Sequence, residues 1–170
     1  MKYLVTGQAG SGKSSIAREL ARRGYAAYDT DSVRDACGFD YAETGLPVPA
    51  GTEITHPIDF RRFHWNWRLD VLDELLASAD DVFVCAITSN TVSERHRFDR
   101  VFVLQLDDET LARRLRERSG HAFGKNPHEA AGVIAHNRVI ADEWRARGAI
   151  VIDATQPLDV VVDAIVAQMR

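Results

Sequence analysis

The octet Gly7-Gln8-Ala9-Gly10-Ser11-Gly12-Lys13-Ser14 constrains this chain more than any other stretch, because it reads G-x-x-x-x-G-K-S in full. Before it, Met1–Thr6 (MKYLVT) is a short apolar run with a β-branched end; after it, Ser15–Ala21 has helical spacing. Strand, glycine loop and helix in that order make a phosphate site. Glycines let the loop curl until successive N–H groups converge on one anion, and the helix adds its positive end. Lys13 supplies a point charge for β- and γ-phosphates, and the Ser14 hydroxyl is a ligand for Mg²⁺. Gly7, Gln8, Ala9, Gly10, Ser11, Gly12, Lys13, Ser14 and Ser15 form the expected nucleotide-binding loop. No G-x-G-x-x-G is present, which excludes a Rossmann dinucleotide loop.

The rest of the chain alternates strand and helix patterns, as in an α/β fold with a mainly parallel sheet. A helix is expected over Lys13–Arg23, stopped by Gly24, then a strand over Tyr25–Asp29. Residues 38–57 are irregular, broken by prolines and glycines, and loops that long are more often functional than idle. Pro57 fits the first position of a helix over Ile58–Ala79, with Trp65, Leu69, Leu72 and Leu76 on one stripe and Arg61, Arg62 and Arg68 on other faces. Trp67 then falls off the stripe, partly buried or offered as a surface for a ring. Val82–Ile87 and Val101–Leu106 read as strands covered on both sides. Helices follow from Asp108 to Arg118, from an Asn126 cap and Pro127 to Arg147 with Glu129 in capping-box register, and from Pro157 with Leu158, Val162, Ile165 and Met169 on one face. Ala149–Asp153 completes a count of five strands in one domain of 170 residues.

In such sheets ligands sit outside the carboxyl ends of the strands, where Asp29–Asp31, Thr88–Asn90, Asp107 and Asp153–Gln156 fall. A loop that holds Mg²⁺ needs an acid nearby, yet Val82–Ile87 ends in none. Asp29 and Asp31 close the second strand two residues apart; one is placed to steady the metal, the other to orient or deprotonate an acceptor hydroxyl. Asp107 reads equally as a helix cap or as the acid of a hydrolytic ATPase. Arg114 and Arg118 share a helix face before a loop with Gly120 and Gly124, the makings of a cationic lid over residues 114–128. The acceptor region is expected over residues 32–80, with Asp31, Arg34, Arg61, Arg62, Arg68, Ser89 and Asn90 as its contacts, since arginine forks suit phosphate or carboxylate.

A net charge of −4 gives no nucleic-acid footprint over the whole surface. Cys37 and Cys85 make no disulfide framework, no apolar run is long enough to span a membrane, and the chain enters a strand at once without room for a removable leader. Cytoplasm is the expected compartment.

With Gly7–Ser14, the Asp29-Thr30-Asp31 pair, the arginine-rich Leu111–Arg118 stretch and the closing Asp153-Ala154-Thr155-Gln156-Pro157, the chain resembles the nucleoside-monophosphate-kinase-like branch of P-loop kinases. Shikimate kinases, gluconate kinases and small adenylate-kinase-like proteins belong to it. The resemblance implies a three-layer, doubly wound five-stranded parallel sheet ordered 2-3-1-4-5, with ATP as donor. It implies Asp31 beside the acceptor, Asp29 supporting Mg²⁺ with Ser14, Arg114 and Arg118 on adenine and phosphates, and Thr155, Gln156 and Pro157 lining adenine. Strand three ends in Ile87-Thr88-Ser89-Asn90, a departure from the glycine-rich acceptor loop of shikimate and gluconate kinases. The expectation is an ATP- and Mg²⁺-dependent phosphotransferase acting on a small metabolite or nucleoside monophosphate, with catalysis by Lys13, Asp31, Arg114 and Arg118. The competing readings are a nucleotide hydrolase or switch that uses Asp107, and a module that binds ATP without turnover.

Overall fold

The computed structural model describes residues 1–118 and 123–169. The expected lid hinge at Gly120 falls outside them. Five parallel strands form the central sheet: β1 (Lys2–Thr6), β2 (Ala26–Asp29), β5 (Val82–Cys85), β6 (Arg100–Gln105) and β7 (Ile150–Asp153), in the order β2-β5-β1-β6-β7. Counting those five strands alone, that is the expected 2-3-1-4-5. All four residues of β5 are buried, as a strand covered on both faces must be.

Side-chain alternation along the strands builds two cores. Tyr3, Val5, Phe83, Cys85, Phe102 and Leu104 face α1 (Lys13–Arg22) and α5 (Leu158–Val166), which contribute Ile16, Leu20, Val162 and Ile165. Leu4, Val82, Val84, Val101 and Val103 face α2 (Leu69–Ala77) and α4 (Pro127–Arg145), which contribute Leu72, Leu76, Ile140 and Trp144. In α5 the inward register differs from expectation: Val161 is buried, whereas Leu158 is 41% exposed.

The main correction concerns residues 37–68. No helix begins at Pro57. Cys37–Tyr41 and Phe63–Trp67 pair instead as antiparallel strands β3 and β4, with Cys37 opposite Trp67 and Phe39 opposite Trp65, and the helix is confined to α2. The aromatic spacing at 63, 65 and 67 has period two, so cross-strand ring pairs prevail over helical propensity. Phe39 packs on Trp65 at 4.8 Å and Tyr41 on Phe63 at 5.9 Å between centroids. The tryptophans exchange roles. Trp67 is 2% exposed, donates Nε1–H to Thr30 Oγ1 at 3.0 Å and packs near Phe98, while Trp65 is only half-buried.

The polar turn after β5 docks this hairpin. Asn90 Oδ1 accepts from Trp67 N at 3.0 Å, Asn90 Nδ2 donates to Trp67 O at 3.3 Å, and Ser89 N donates to Trp65 O at 2.7 Å. An amide side chain here does what a neighbouring strand would otherwise do for exposed backbone groups.

Candidate active site

The loop between β1 and α1 has the conformation its glycines predict. Gly10 and Gly12 sit at φ 84° and 104°, in the left-handed region open to a residue without Cβ. No hydrogen bond among the described residues engages the amides of Gly10, Gly12, Lys13 or Ser14, and the Ser11 hydroxyl is buried without a partner. Lys13 is buried, donating from Nζ to Gly7 O at 2.7 Å and Gln8 O at 3.0 Å. Burial pushes its pKa down to about 8, against the pull of Asp31 and Asp29. Free amides, an unpaired hydroxyl and a dehydrated ammonium fit a polyphosphate tail. Ser14 is exposed at the start of α1, so its hydroxyl suits a Mg²⁺ ion whose other ligands come from phosphate and water.

A cleft of about 1730 Å³ opens beside this loop. From α3 (Asp108–Glu117) and its end come Arg114, whose Nη1 donates to Ser11 O at 3.4 Å, and Arg118, which donates to Phe123 O. Burial lowers the pKa of both guanidinium groups, and Arg118 Nε is buried without a partner among the described residues. From the end of β2 come Asp29, whose Oδ2 accepts from Ser32 Oγ at 3.2 Å, and Asp31, whose Oδ1 accepts from Trp65 Nε1 at 3.0 Å. Gln156 and Ser89 also line the cleft.

Other expected contacts lie elsewhere. Arg34 is exposed beside Asp35, Arg61 chelates Asp59 at 2.9 Å, and Arg62 lies 5.3 Å from the centre of the Phe63 ring. Arg68 pairs with buried Asp40 at 2.6 Å and donates to Phe39 O. Asn90 serves the hairpin backbone. Neither these five residues nor Thr155 and Pro157 are among the cleft-lining residues; Thr155 bonds Asp153, and Pro157 caps α5. Gly7 is likewise outside the cleft lining; its carbonyl accepts from Lys13 Nζ. Asp107 is a helix cap: it accepts from Thr110 N at 2.7 Å and Thr110 Oγ1 at 2.8 Å, bonds that hold its carboxyl below the ordinary range. It too lies outside the cleft lining.

Sequence reasoning missed several cleft residues. His136 of α4 meets the loop, its Nδ1 accepting from Gln8 Nε2 at 2.6 Å. His128, Gly132 and His136 all line the cleft at intervals of four residues, a helical signal that was present in the chain. Glu129 does not close a capping box; Asn126 alone caps α4, accepting from His128 N at 2.9 Å. The Glu129 carboxylate instead accepts from His56 Nδ1 at 2.8 Å, Ile58 N at 3.0 Å and Gly124 N at 2.9 Å. Burial raises its pKa, but these donors outweigh burial and hold it below the ordinary range.

Comparison with known proteins agrees with this architecture. A gluconokinase from Sinorhizobium meliloti 1021 is similar at 20% identity and TM-score 0.55, covering 98% of this chain and 89% of its own. A deoxyadenosine kinase from M. mycoides is similar at 15% identity and TM-score 0.58, covering 99% and 98%. TT1252 from Thermus thermophilus is similar at 18% identity and TM-score 0.55, covering 100% and 98%. At these identities the likeness is one of fold alone. No curated protein matches in sequence. Residues 4–135 match the model of the AAA domain family, which is most of the chain, and the chain belongs to that family.

Proposed function

We propose that the protein is an ATP- and Mg²⁺-dependent phosphotransferase that moves the γ-phosphoryl group to a small hydroxyl-bearing molecule. The observation that carries this reading is the meeting of two sets of groups in one cleft. Lys13, Arg114, Arg118 and the free loop amides line it together with the Asp31 carboxylate, which Trp65 steadies. Kinases in name among the similar folds, a gluconokinase and a deoxyadenosine kinase, support it.

In this reading Gly7–Ser15 cradle the triphosphate, and Ser14 with Asp29 manages the metal, which neutralises charge between the β- and γ-phosphates when bound. Lys13, Arg114 and Arg118 stabilise charge on the transferred group in a site that burial keeps poor in water. Asp31 orients the acceptor hydroxyl and takes its proton. Residues 1–170 act as one domain, 32–80 as acceptor region and 114–128 as lid, with Gln156 beside the base. Cytoplasm suits an ATP-using enzyme whose Cys37 and Cys85 are free thiols. A hydrolytic ATPase reading loses its metal acid, because Asp107 is engaged as a cap.

The test is incubation with γ-labelled ATP, Mg²⁺ and pooled nucleosides, nucleotides, sugars and hydroxy acids, with products identified by mass. A phosphorylated acceptor is expected. ATP loss at the same rate without any acceptor would sink the reading.

A further inference from the structure

We propose that the acceptor is an uncharged alcohol carried on a flat ring, of the nucleoside type, and that Trp65, Phe39 and Phe60 select it over anionic acceptors. The inference rests on the phosphotransferase reading and deepens it.

The cleft beyond Asp31 is walled by Val33, Phe39, Ile58, Phe60, Trp65 and Ile87. Phe39 and Trp65 lie 4.8 Å apart between centroids, and Phe60 stands 45% exposed with its edge to Phe123 at 5.8 Å. Rings so placed offer faces and edges to a planar guest. Trp65 also donates to Asp31 Oδ1, which fixes that carboxylate and leaves Oδ2 for a hydroxyl.

Charge points the same way. Arg34, Arg61 and Arg68 are paired with Asp35, Asp59 and Asp40, and Arg62 lies on Phe63. None of the four lines the cleft. Among the described residues, the lysines and arginines that do are Lys13, Arg18, Arg114 and Arg118, which come from α1 and from α3 and its end. The carboxylates beside these rings are Asp31, bonded to Trp65, and Glu129, bonded to His56 and Ile58. A phosphate or carboxylate set against this wall would lose water and meet like charge, and Arg34, Arg61, Arg62 and Arg68 are not there to answer it, which is costly in a desolvated site. A neutral ring loses nothing of the kind. In the step itself the acceptor oxygen forms a bond to Pγ as the bond from Pγ to the bridging oxygen breaks. The proton passes to Asp31 Oδ2 and on to solvent, and ADP departs with the bonding pair.

The experiment compares, with the full chain and MgATP, the common ribo- and deoxyribonucleosides, their 5′-monophosphates, and gluconate. One nucleoside is expected to exceed its own 5′-monophosphate and gluconate in kcat/KM by about 100-fold, the scale set by an unpaired buried charge. Preference for a monophosphate or for gluconate overturns the proposal while the phosphotransferase reading stands. If no acceptor turns over, nucleoside quenching of tryptophan fluorescence, present in the wild type and absent in Trp65→Phe, still supports the acceptor class; absence of quenching overturns it. Phe60→Ala, at an exposed position, should raise the nucleoside KM about 10-fold and keep kcat, as loss of a stacking partner does. Trp65→Phe keeps a ring but loses the bond to Asp31, so kcat should fall about 10-fold with KM nearly unchanged. A Trp65→Phe enzyme with unaltered kcat overturns the positioning role.

Discussion

The two sides of the cleft are encoded in different ways. The side proposed to hold phosphate is local at its centre: loop, lysine and the helix behind them occupy consecutive residues, and Lys13 reaches carbonyls only five and six positions away, while Arg114 joins from 103 residues on. The side proposed for the acceptor is assembled from distant pieces. Trp65 reaches Asp31 across 34 residues, Asn90 reaches Trp67 across 23, and Glu129 reaches His56 across 73. A locally encoded site is preformed by backbone geometry. One built from remote segments depends on tertiary packing, and damage to that packing reaches function indirectly.

Substitutions on either side put this contrast at risk. Lys13→Ala should have the largest effect, a loss on the order of 10³-fold in turnover with folding intact, since it removes a preorganised charge; steady-state kinetics and circular dichroism check both halves. Near-normal rates would mean the loop is not the phosphate side at all. Trp67→Ala should cost about 3 kcal/mol of stability in urea unfolding, because it empties a core site and removes the indole donor from the Thr30 hydroxyl. Trp65→Ala should cost distinctly less, and equal losses would mean that the inner and outer faces of the hairpin are misassigned. Asp107→Ala should cost about 1 kcal/mol, as for a lost helix cap, and leave nucleotide turnover unchanged; loss of turnover would restore the hydrolase alternative.

The smallest effect is a proton count. With its pKa near 8, Lys13 is half neutral at pH 8, and a bound triphosphate raises that pKa. Nucleotide binding at pH 8 should therefore take up about half a proton, visible by calorimetry in buffers of different ionisation enthalpy. Lys13→Ala should abolish that uptake, and acceptor binding alone should produce none. The same depression means that the unfolded chain holds more protons than the folded one between about pH 8 and the ordinary value of 10.5. This group's contribution to stability accordingly rises with pH across that window.

What was legible in the sequence follows the same division. The strand–loop–helix start and the Asn126 cap depend on neighbours in the chain, and those patterns held; the sheet order, which the family resemblance implied, held too, and Asp107, open between two roles, proved to be a cap. Residues 58–67 carried two periodicities at once. Trp65, Leu69, Leu72 and Leu76 fit a helical stripe, whereas Phe63, Trp65 and Trp67 fit a strand, and only the pairing partner at Cys37–Tyr41 decides between them. The arginines of that region looked like anion receptors because nothing in their spacing shows that Asp40 and Asp59 already hold Arg68 and Arg61. Glu129 was hidden for the opposite reason: its position fits a local capping motif, and nothing in that motif points to His56, Ile58 or Gly124.

Two stretches far apart in the chain hang on that one carboxylate. If Ile58 swings away, the oxygen it shared with His56 is left in a dry pocket beside the one still held by Gly124, and neither half is comfortable without the other. The segment at residues 56–58 and the turn at Gly124 are thus fastened by one side chain, so that a change at Glu129 loosens both at once.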